Sequence, residues 1–421
     1  MNRTIAFLLL ITILLLLDWY IFSGLKFVTR SWSDTSQKLL SFIYWFIPIA
    51  SILSVVSVIY VFNDRLSYQV RTFIISIIFI IYISKFISGI LLLVTDIIGL
   101  LQGLYASIAK RFGTNSEVIK DAGTISRSEF LTTSALAVGA AHVGALTWGI
   151  ISGAHDYRIR RTPLILKNLP AQFHGLKLIQ ISDIHSGSFF NKTAVEGGVD
   201  MLLKEKPDMV FFTGDLVNNK AEELTAYFDI FKRIKAPLGV YSTLGNHDYG
   251  DYTSWPSEAA KMANIKDLMK AHELMNWNLL MDENKTVTIE NESIGILGIQ
   301  NWGAGFSQYG NLDKALKNTD DLNTKLLLSH DPSHWRHQVL KHTNIDASFA
   351  GHTHGMQYGV EVGDFKWSPV SLRYKEWAGL YTEEDQHLYV NRGYGYLGYP
   401  GRLGILPEIT VFELKKLRLK T

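Results

Sequence analysis

The chain has 421 residues, carries 41 Lys and Arg against 39 Asp and Glu, and contains no cysteine. A formal charge of +2 argues against a protein that mainly binds nucleic acid or another polyanion. The lack of cysteine excludes disulfides, thiolate metal sites and cysteine nucleophiles. Charge is unevenly distributed, with 19 charged residues in positions 1–156 and 61 in positions 157–421. This asymmetry predicts two domains, a membrane region over 1–156 and a catalytic-size domain over 157–421.

Four apolar segments of the N-terminal region approach the length of about 20 residues that crosses a bilayer. They lie at 5–22, 42–62, 73–94 and 131–151, and the last is the weakest because it is rich in Ala and Gly. Segment 97–112 is predicted to be either an interfacial helix or a continuation of the third span. The first segment is too long for a cleaved signal peptide. The sequence therefore predicts an all-α, multi-pass transmembrane region.

Lys85 lies in the middle of the third span. It is predicted to snorkel towards the interface or to face a neighbouring helix. No acidic residue is expected at the same depth, because Asp18 is interpreted as part of an interfacial anchor together with Trp19 and Tyr20. A transporter function would need paired polar residues or broken helices near the membrane centre, and only Lys85 and Pro48 favour it.

The side of the membrane is predicted from Lys and Arg in the short loops. With an extracytoplasmic C-terminal domain, seven such residues lie in cytoplasmic loops and three on the opposite side. Four more directly after the fourth span make the two counts equal. The hexamer 126–131 (SRSEFL) is similar to the twin-arginine export signal, with Ser128 in place of the second Arg. It favours an extracytoplasmic domain in the cell membrane, and a chance hexamer is the alternative.

From residue 157 onwards, strand-like runs alternate with helical patterns, and 158–170 is interpreted as a linker. Predicted strands lie at 176–182, 208–213, 238–244, 325–329, 345–349, 379–382, 388–391 and 408–414, with two more inside 286–299. Predicted helices lie at 192–205, 221–234 and 255–274, and another begins at Asp331–Pro332. A βαβα start followed by a β-rich tail predicts an α/β fold with one or two sheets between helices.

Polar residues of similar chemistry follow five of the predicted strands, where ligands collect in α/β sheets. They are Asp183, His185, Asp215, Asn246, His247, Asp248, His330, His352 and His354. Carboxylate, amide and imidazole ligands without thiolates suit divalent Mn, Fe, Zn or Ni. The set is too large for one tetrahedral zinc, so two divalent metal ions are predicted. Each short motif alone could be a surface loop or turn, but the complete series argues against coincidence.

The series D-x-H, G-D, G-N-H-D, H and G-H-x-H resembles the calcineurin-like metallophosphoesterase superfamily over residues 176–414. The resemblance implies a β-sandwich flanked by helices, with a dinuclear site at the strand ends. It implies a first metal held by Asp183, His185 and His354, a second held by Asn246, His330 and His352, and Asp215 as the bridge. It also implies that His247 donates a proton or hydrogen bond to the phosphate and that Asp248 orients His247.

The implied reaction is phosphoester hydrolysis by in-line attack of a hydroxide that bridges the two metals. Segments 162–187 and 405–414 are similar to a bacterial membrane-associated branch, which includes UDP-2,3-diacylglucosamine diphosphatase-like hydrolases. Many members of that branch have Gly in place of Met356. The membrane region favours a phosphodiesterase or pyrophosphatase acting on a lipid-linked or envelope ester.

Arg402, in the Tyr- and Gly-rich loop 392–402, is predicted to contact the substrate phosphate, although the loop could also be purely structural. A phosphomonoesterase or phosphoprotein phosphatase is the alternative among enzymes, since the metal ligands would be shared. A non-catalytic, membrane-tethered binding module is a further alternative, but it predicts lost ligands and none is lost. The predicted partners are a phosphate ester and the membrane, with no nucleic acid.

Overall fold

The computed structural model describes residues 3–58, 66, 68–111 and 127–417 of the chain. The chain divides into two compact units, Met1–Trp148 and Gly149–Thr421. Some sequence predictions fall partly outside the described residues. They include the last four residues of the predicted span 42–62, the last residue of segment 97–112 and Ser126, the first residue of the hexamer that is similar to an export signal.

The N-terminal part of the chain consists of long apolar helices. They are α1 (Arg3–Val28), α2 (Asp34–Val56), α3 (Tyr68–Arg111) and α4 (Arg127–Ile151). Among the described residues, four helices are long and apolar enough to cross a membrane, which confirms the predicted all-α region. Because α3 is continuous to Arg111, segment 97–111 continues the third span and is not a separate interfacial helix.

An ion pair connects α1 and α3 inside this helical region. The carboxylate of Asp18 is fully buried and pairs with the ammonium group of Lys85. The Tyr44 hydroxyl donates to the backbone carbonyl of Asp18 (2.9 Å), and the Tyr82 hydroxyl donates to Asp18 Oδ2 (3.0 Å). The prediction that no acidic residue shares the depth of Lys85 is therefore wrong. The reason is that α1 continues to Val28, so that Asp18 lies within the helix and not at its end.

The second unit contains two six-stranded sheets and one separate hairpin. The first sheet has the order β1 (Arg158–Leu166), β14 (Glu408–Lys416), β2 (Lys177–Ile181), β3 (Met209–Phe212), β4 (Val240–Ser242) and β5 (Asn278–Leu279). The second has the order β12 (Gly379–Glu383), β13 (Gln386–Val390), β9 (Ala347–Ala350), β8 (Lys325–Leu328), β7 (Glu292–Gly298) and β6 (Glu283–Ile289). The hairpin pairs β10 (Val360–Val362) with β11 (Phe365–Trp367).

The two sheets face each other across an aromatic and aliphatic core. Phe349 of the second sheet makes edge-to-face contacts with Phe211 and Phe412 of the first sheet, with ring centroids 5.0 and 5.2 Å apart. Helices cover the outer faces: α5 (Lys192–Lys204), α6 (Phe228–Phe231) and α7 (Glu258–Leu274) pack on the first sheet, and α8 (Leu312–Leu316) packs on the second. This confirms the predicted α/β fold, a β-sandwich flanked by helices.

Several local predictions differ from the structure. Segment 158–166 is not a linker but strand β1, which pairs in parallel with β14. Its pattern is hard to recognise because edge strands tolerate charge and proline, here Pro163. The predicted helix 221–234 is a short 3₁₀ turn followed by the single turn α6. The helix predicted from Asp331 is a π-helical turn, Trp335–Val339. Strands β5, β10 and β11 and helix α8 are too short for a periodicity to predict.

Candidate metal centre

The nine residues predicted at strand ends come together at one edge of the sandwich. Strands β2, β3 and β4 run parallel in the first sheet, and β8 and β9 run parallel in the second. Asp183 and His185 follow β2, Asp215 follows β3, the sequence Asn246–His247–Asp248 follows β4, His330 follows β8, and His352 and His354 follow β9. Because the loops leave the two sheets at the same end, ligands from both sheets meet there.

Asp183, His185 and His354 form the first group of potential metal ligands. His354 Nε2 lies 3.2 Å from Asp183 Oδ1 and 3.1 Å from His185 Nε2. Two imidazole nitrogens at this distance share at most one proton, so at least one lone pair points into the group. All three side chains are buried. Ligands of this type and spacing fit a divalent cation.

A second group lies around Asn246. Its Oδ1 is 2.9 Å from His352 Nδ1 and 3.1 Å from His330 Nε2. Asp215 connects the two groups, because its Oδ2 lies 3.2 Å from His330 Nε2 and 3.5 Å from His185 Nε2. A carboxylate in this position can bridge two metal ions.

The backbone around these ligands is unusual. Asp183, His185, Asp215, His352 and His354 have φ angles of 52, 49, 60, 68 and 49°, in the left-handed region that non-glycine residues seldom adopt. Such conformations cost about 1–3 kcal/mol each and cluster at functional sites. The loops also pack tightly, since a Cβ on Gly351 would lie 2.1 Å from Asp183 Oδ2. Few substitutions would therefore be tolerated in these loops, because their backbone is left-handed at several positions and tightly packed.

Hydrogen bonds fix the tautomers of the ligand imidazoles. His330 Nδ1 donates to the Thr213 carbonyl (2.7 Å), and His185 Nδ1 donates to Asn218 Oδ1 (3.1 Å). Each ring, when neutral, therefore presents the lone pair of Nε2 to the centre. His352 Nε2 donates to the Tyr374 hydroxyl (2.9 Å), which donates in turn to Asp331 Oδ2 (3.2 Å). Outer partners of this kind are typical of metal-binding histidines.

His354 has a different outer partner. The Arg402 guanidinium, which can only donate, lies 3.2 Å from His354 Nδ1. The neutral ring thus carries its proton on Nε2, facing Asp183, unless a metal ion replaces it. Arg402 is fully buried and donates to the carbonyls of Gly395 (3.1 Å from Nε) and Arg392 (2.8 Å from Nη2). Its contacts favour a role in holding the loop and His354, and they do not support the predicted direct contact with phosphate.

His247 and Asp248 each have hydrogen-bond partners other than the expected bond to one another. Asp248 is buried and accepts backbone N–H groups of Asp215 (2.8 Å), Leu216 (2.8 Å) and Gly245 (2.9 Å). It therefore joins the loop after β3 to the loop after β4. The expected hydrogen bond from His247 to Asp248 is not formed. His247 is instead oriented by the carbonyl of Asn218, which accepts a hydrogen bond from Nδ1 at 2.8 Å. The His247 ring is only partly buried.

The charges of the cluster shift its protonation equilibria. Burial raises the pKa of Asp215, but the neighbouring charges of His330 and His247 outweigh burial and hold this pKa well below its usual value. Burial lowers the pKa of His330, but the charge and the hydrogen bond of Asp215 have the larger effect and raise this pKa to about 10. Burial lowers the pKa of His185 and of His352. Asp215 thus stays ionised, as a bridging ligand requires.

Burial, together with the charge of Asp215, raises the pKa of Asp248 to about 7. Its backbone hydrogen bonds oppose this rise. Both oxygens accept backbone N–H groups, which suits the ionised form. These hydrogen bonds connect the loop that carries Asp215 to the loop that carries Asn246.

The sequence reasoning missed four residues of this centre. Asn218 holds two of the histidines, one through its side chain and one through its carbonyl. Its position three residues after Asp215, in GDLVN, is the only signal for it. Tyr374 and Asp331 hold His352, and the Tyr252 hydroxyl accepts a hydrogen bond from Asn246 Nδ2 at 2.8 Å. No short motif marks Tyr374 or Tyr252, because their contacts depend on the tertiary fold.

The sandwich and its buried Asp, Asn and His cluster define a candidate metal-binding protein of the α/β class. Two family models match the chain. One, described as "Calcineurin-like phosphoesterase", matches residues 176–356, and the other, described as "Probable Calcineurin-like phosphoesterase, transmembrane domain", matches residues 2–154.

Two relatives have metallophosphoesterase names, and one solved structure is similar only at low identity. The "Uncharacterized metallophosphoesterase YkuE" of Bacillus subtilis is 30% identical over 301 residues, which cover 69% of this chain and 98% of that protein. The "Transmembrane protein with metallophosphoesterase domain" of Bos taurus is 26% identical over 273 residues, and the match spans 63% of this chain and 59% of the bovine protein. The crystal structure of TT1561 of Thermus thermophilus is 12% identical, with a TM-score of 0.34, over 54% of this chain and 90% of that chain.

The chain belongs to the calcineurin-like metallophosphoesterase family, because the Bacillus relative is 30% identical over almost its whole length. It combines a metallophosphoesterase domain with an N-terminal transmembrane region and is membrane-associated. The printed names of the two relatives specify no substrate, so the resemblance to UDP-2,3-diacylglucosamine diphosphatase-like hydrolases gains no support from them.

Proposed function

We propose that this chain is a membrane-anchored phosphoester hydrolase that uses two divalent metal ions. The observation that carries the proposal is the convergence of potential ligands from both sheets on Asp215, which contacts His185 of one ligand group and His330 of the other. Buried carboxylate, amide and imidazole groups that meet at one point favour a bound metal. In this proposal, residues 1–156 form the membrane region and residues 157–421 form the catalytic domain.

The residues present fit the two ions predicted for the site. Asp183, His185 and His354 would hold one, Asn246, His330 and His352 would hold the other, and Asp215 would bridge them. When bound, such ions supply activation of water and neutralisation of charge on the phosphate. The chemistry of the ligands suits Mn, Fe, Zn or Ni and does not distinguish among them.

His247 is the residue best placed to act on the substrate directly. Its Nδ1 proton is used by the Asn218 carbonyl, so donation to the phosphate or to the leaving oxygen would come from Nε2 of the doubly protonated ring. The ring packs against Tyr252, with centroids 4.5 Å apart, which restrains its orientation. A positioned donor of this kind contributes about 10²–10⁴-fold to the rate of a reaction. Asp248 and Arg402 act through the loops that they hold.

For the substrate, we propose a phosphodiester or pyrophosphate carried by a lipid or another envelope molecule. The transmembrane region of the same chain supports a substrate at the membrane. Aromatic rings next to the ligands, such as Phe306 at 4.6 Å from the His352 ring, provide apolar walls for a large ester. A phosphomonoesterase or phosphoprotein phosphatase remains the second candidate, because it would use the same ligands.

The test is hydrolysis by the purified full-length chain in detergent, loaded with Mn²⁺. The substrates are bis-p-nitrophenyl phosphate and p-nitrophenyl phosphate, and the control is the double variant Asn246→Ala/His247→Ala. We expect turnover that the double variant loses, with preference for the diester. Preference for the monoester would select the second candidate. Equal, background turnover of both proteins on both esters would contradict a general phosphoesterase.

We also propose that the helices make a multi-pass membrane protein with its catalytic domain outside the cytoplasm. The natural absence of cysteine allows a direct test. A single cysteine in place of the exposed Thr286 on β6 should react with a membrane-impermeant maleimide in intact cells. Reaction only after the cells are opened would place the domain in the cytoplasm instead.

A further inference from the structure

The hairpin β10–β11 exposes apolar side chains to solvent and turns its charged pair towards the domain, which is the opposite of an ordinary protein surface. Val360, Val362, Phe365 and Trp367 are 47, 71, 63 and 44% exposed. They form two cross-strand pairs, Val360 with Trp367 and Val362 with Phe365. Between them, the pair Glu361–Lys366 points to the opposite side, since side chains alternate along a strand. We call the four exposed side chains the apolar face of the hairpin.

The inward charges are bound to the catalytic domain. Glu361 accepts hydrogen bonds from both terminal nitrogens of Arg160 (2.9 and 2.6 Å) and from Arg392 (2.9 Å). Lys366 donates to the carbonyl of Ala378 and lies 4.8 Å from the centroid of the Tyr381 ring. Turning the hairpin over would break these ion pairs and leave Glu361 without its partners. The exposure of the apolar face is therefore built into the domain.

The hairpin β6–β7 of the same unit follows the usual rule and serves as a comparison. Val287 on β6 is buried against the core, whereas its neighbours Thr286 and Thr288 are exposed. Single exposed apolar residues are common, but a continuous apolar face with its charges turned inward indicates an interaction surface.

The surroundings of the apolar face suit a lipid surface. Leu372, five residues after Trp367, is 87% exposed and is followed in the sequence by the exposed residues Arg373 and Lys375. Tryptophan prefers the interface between lipid and water, and flanking basic residues are attracted to anionic headgroups. Asp364, in the turn between the two strands, is the one acidic group at the tip.

We propose that the apolar face of β10–β11 inserts into the surface of the bilayer that the four N-terminal helices of the same chain enter. Only six residues separate the end of α4 at Ile151 from the start of β1 at Arg158, so the chain itself keeps the domain next to that bilayer. Membrane anchoring by the helices and docking by the hairpin would then act together on one domain.

Docking would also determine how close the predicted metal ligands lie to the lipid headgroups. His354 precedes Val360 by six residues, and Gly359 between them is bonded to the Leu403 carbonyl at 2.9 Å. A hairpin held at headgroup depth would place the ligand loop where lipid phosphoesters lie. This consequence for the substrate depends on the proposed function, whereas the docking itself does not.

The test uses the full-length chain in lipid nanodiscs, with one chain per disc. Because the chain has no cysteine, Val362→Cys can carry a single environment-sensitive fluorophore, and Thr286→Cys on β6 is the matched control. We expect the label at position 362 to emit at shorter wavelength and to be quenched several-fold more by nitroxide-labelled lipids than the label at position 286. Equal quenching at both positions would overturn the proposal.

Two further outcomes separate the bilayer from other occupants. A blue shift at position 362 without lipid quenching, seen only at high chain density in detergent, would identify a second copy of the chain and overturn the proposal. Replacing Phe365 and Trp367 by Ser in the Val362→Cys protein should remove the quenching and leave the thermal unfolding of the catalytic domain unchanged. These readouts need no enzymatic activity, so failure of the proposed function would not affect them.

Discussion

In the N-terminal helices, Asp18 is fully buried, and its carboxylate is matched by the cation of Lys85 and by the hydroxyl of Tyr82. At the strand ends of the catalytic unit, Asp215 is equally buried, but it faces the imidazoles of His185 and His330, whose own outer nitrogens are already bonded. The first arrangement is complete within the protein. The second brings carboxylate, amide and imidazole groups together at common points, which suits a bound divalent cation.

The difference shows how two equally buried aspartates can be assigned different roles. A buried charge costs free energy unless a partner offsets it. Where the partner is a lysine on a neighbouring helix, the pair specifies packing. Where the partners are further imidazoles that converge with other carboxylate and amide groups, the arrangement suits a metal site. The following changes test this distinction, from the largest expected effect to the smallest.

The largest effect is expected from Asp215→Asn. Removing the charge that both ligand groups share should abolish binding of at least one metal ion and lower turnover by at least about a hundred-fold. The measurements are bound metal per chain and the rate of ester hydrolysis. Asp282→Asn is the matched control, since Asp282 is also buried but bonds to Gln300 (2.8 Å), away from the ligands. Full metal content and turnover in Asp215→Asn would contradict the assignment.

In the helical unit, Lys85→Met should destabilise the fold without affecting catalysis. It leaves Asp18 buried without its cation, and breaking a buried pair costs about 3–5 kcal/mol. The double variant Asp18→Leu/Lys85→Met should recover most of this loss, because no unpaired charge remains. Unfolding of the helical signal in detergent measures both variants. Equal destabilisation of the single and double variants would mean that Lys85 does not serve to neutralise the buried charge of Asp18.

A smaller effect is expected from Asn218→Ala. This change removes the acceptor for His185 Nδ1 but keeps the backbone carbonyl that holds His247. Loss of an outer partner of a metal-binding histidine lowers metal affinity by about 10–100-fold. Titration with Mn²⁺, followed by electron paramagnetic resonance, measures the affinity. Ser188→Ala, which removes only a bond to Asn218, should change it much less. Unchanged affinity in Asn218→Ala would argue against His185 as a ligand.

The smallest effect concerns His272, a buried group with neither a counter-ion nor converging ligands. Burial lowers the pKa of His272 to about 3, while its ring bonds to the Ser242 hydroxyl at 3.0 Å. Between pH 6.5 and 3 the unfolded chain binds a proton that the folded chain does not, so stability falls as the pH falls. The slope from one such group is about 1.4 kcal/mol per pH unit.

The measurement is the thermal unfolding of the catalytic domain at pH 7 and pH 5. His272→Leu should reduce the difference between the two midpoints relative to the unsubstituted chain. An unchanged difference would mean that other groups carry the acid sensitivity.

The sequence predicted which polar residues follow the strands and meet at one edge of the sandwich, because each lies in a short motif directly after an apolar strand. Motifs such as G-N-H-D and G-H-x-H combine the glycines and ligands that the turns require. The roles of Asp248 and Arg402 could not be predicted in the same way. Their partners, which are backbone groups of distant loops, depend on the tertiary fold.

Other features escaped prediction for reasons of length and depth. The apolar face of β10–β11 arises from strands of three residues each, which are too short for an alternation to stand out. The Asp18–Lys85 pair depends on the position of both residues within their helices, and a single sequence does not fix the end of α1. Strand β1 resembled a linker because it lies at a sheet edge and carries three arginines.

The most direct test of the central claim is the number and coupling of metal ions in the purified full-length chain. After loading with Mn²⁺ and removal of excess metal, elemental analysis and electron paramagnetic resonance should show two ions per chain with the spectrum of an exchange-coupled pair. Asp215→Asn should abolish the coupling. One ion per chain, or two ions without coupling, would contradict a centre bridged by Asp215.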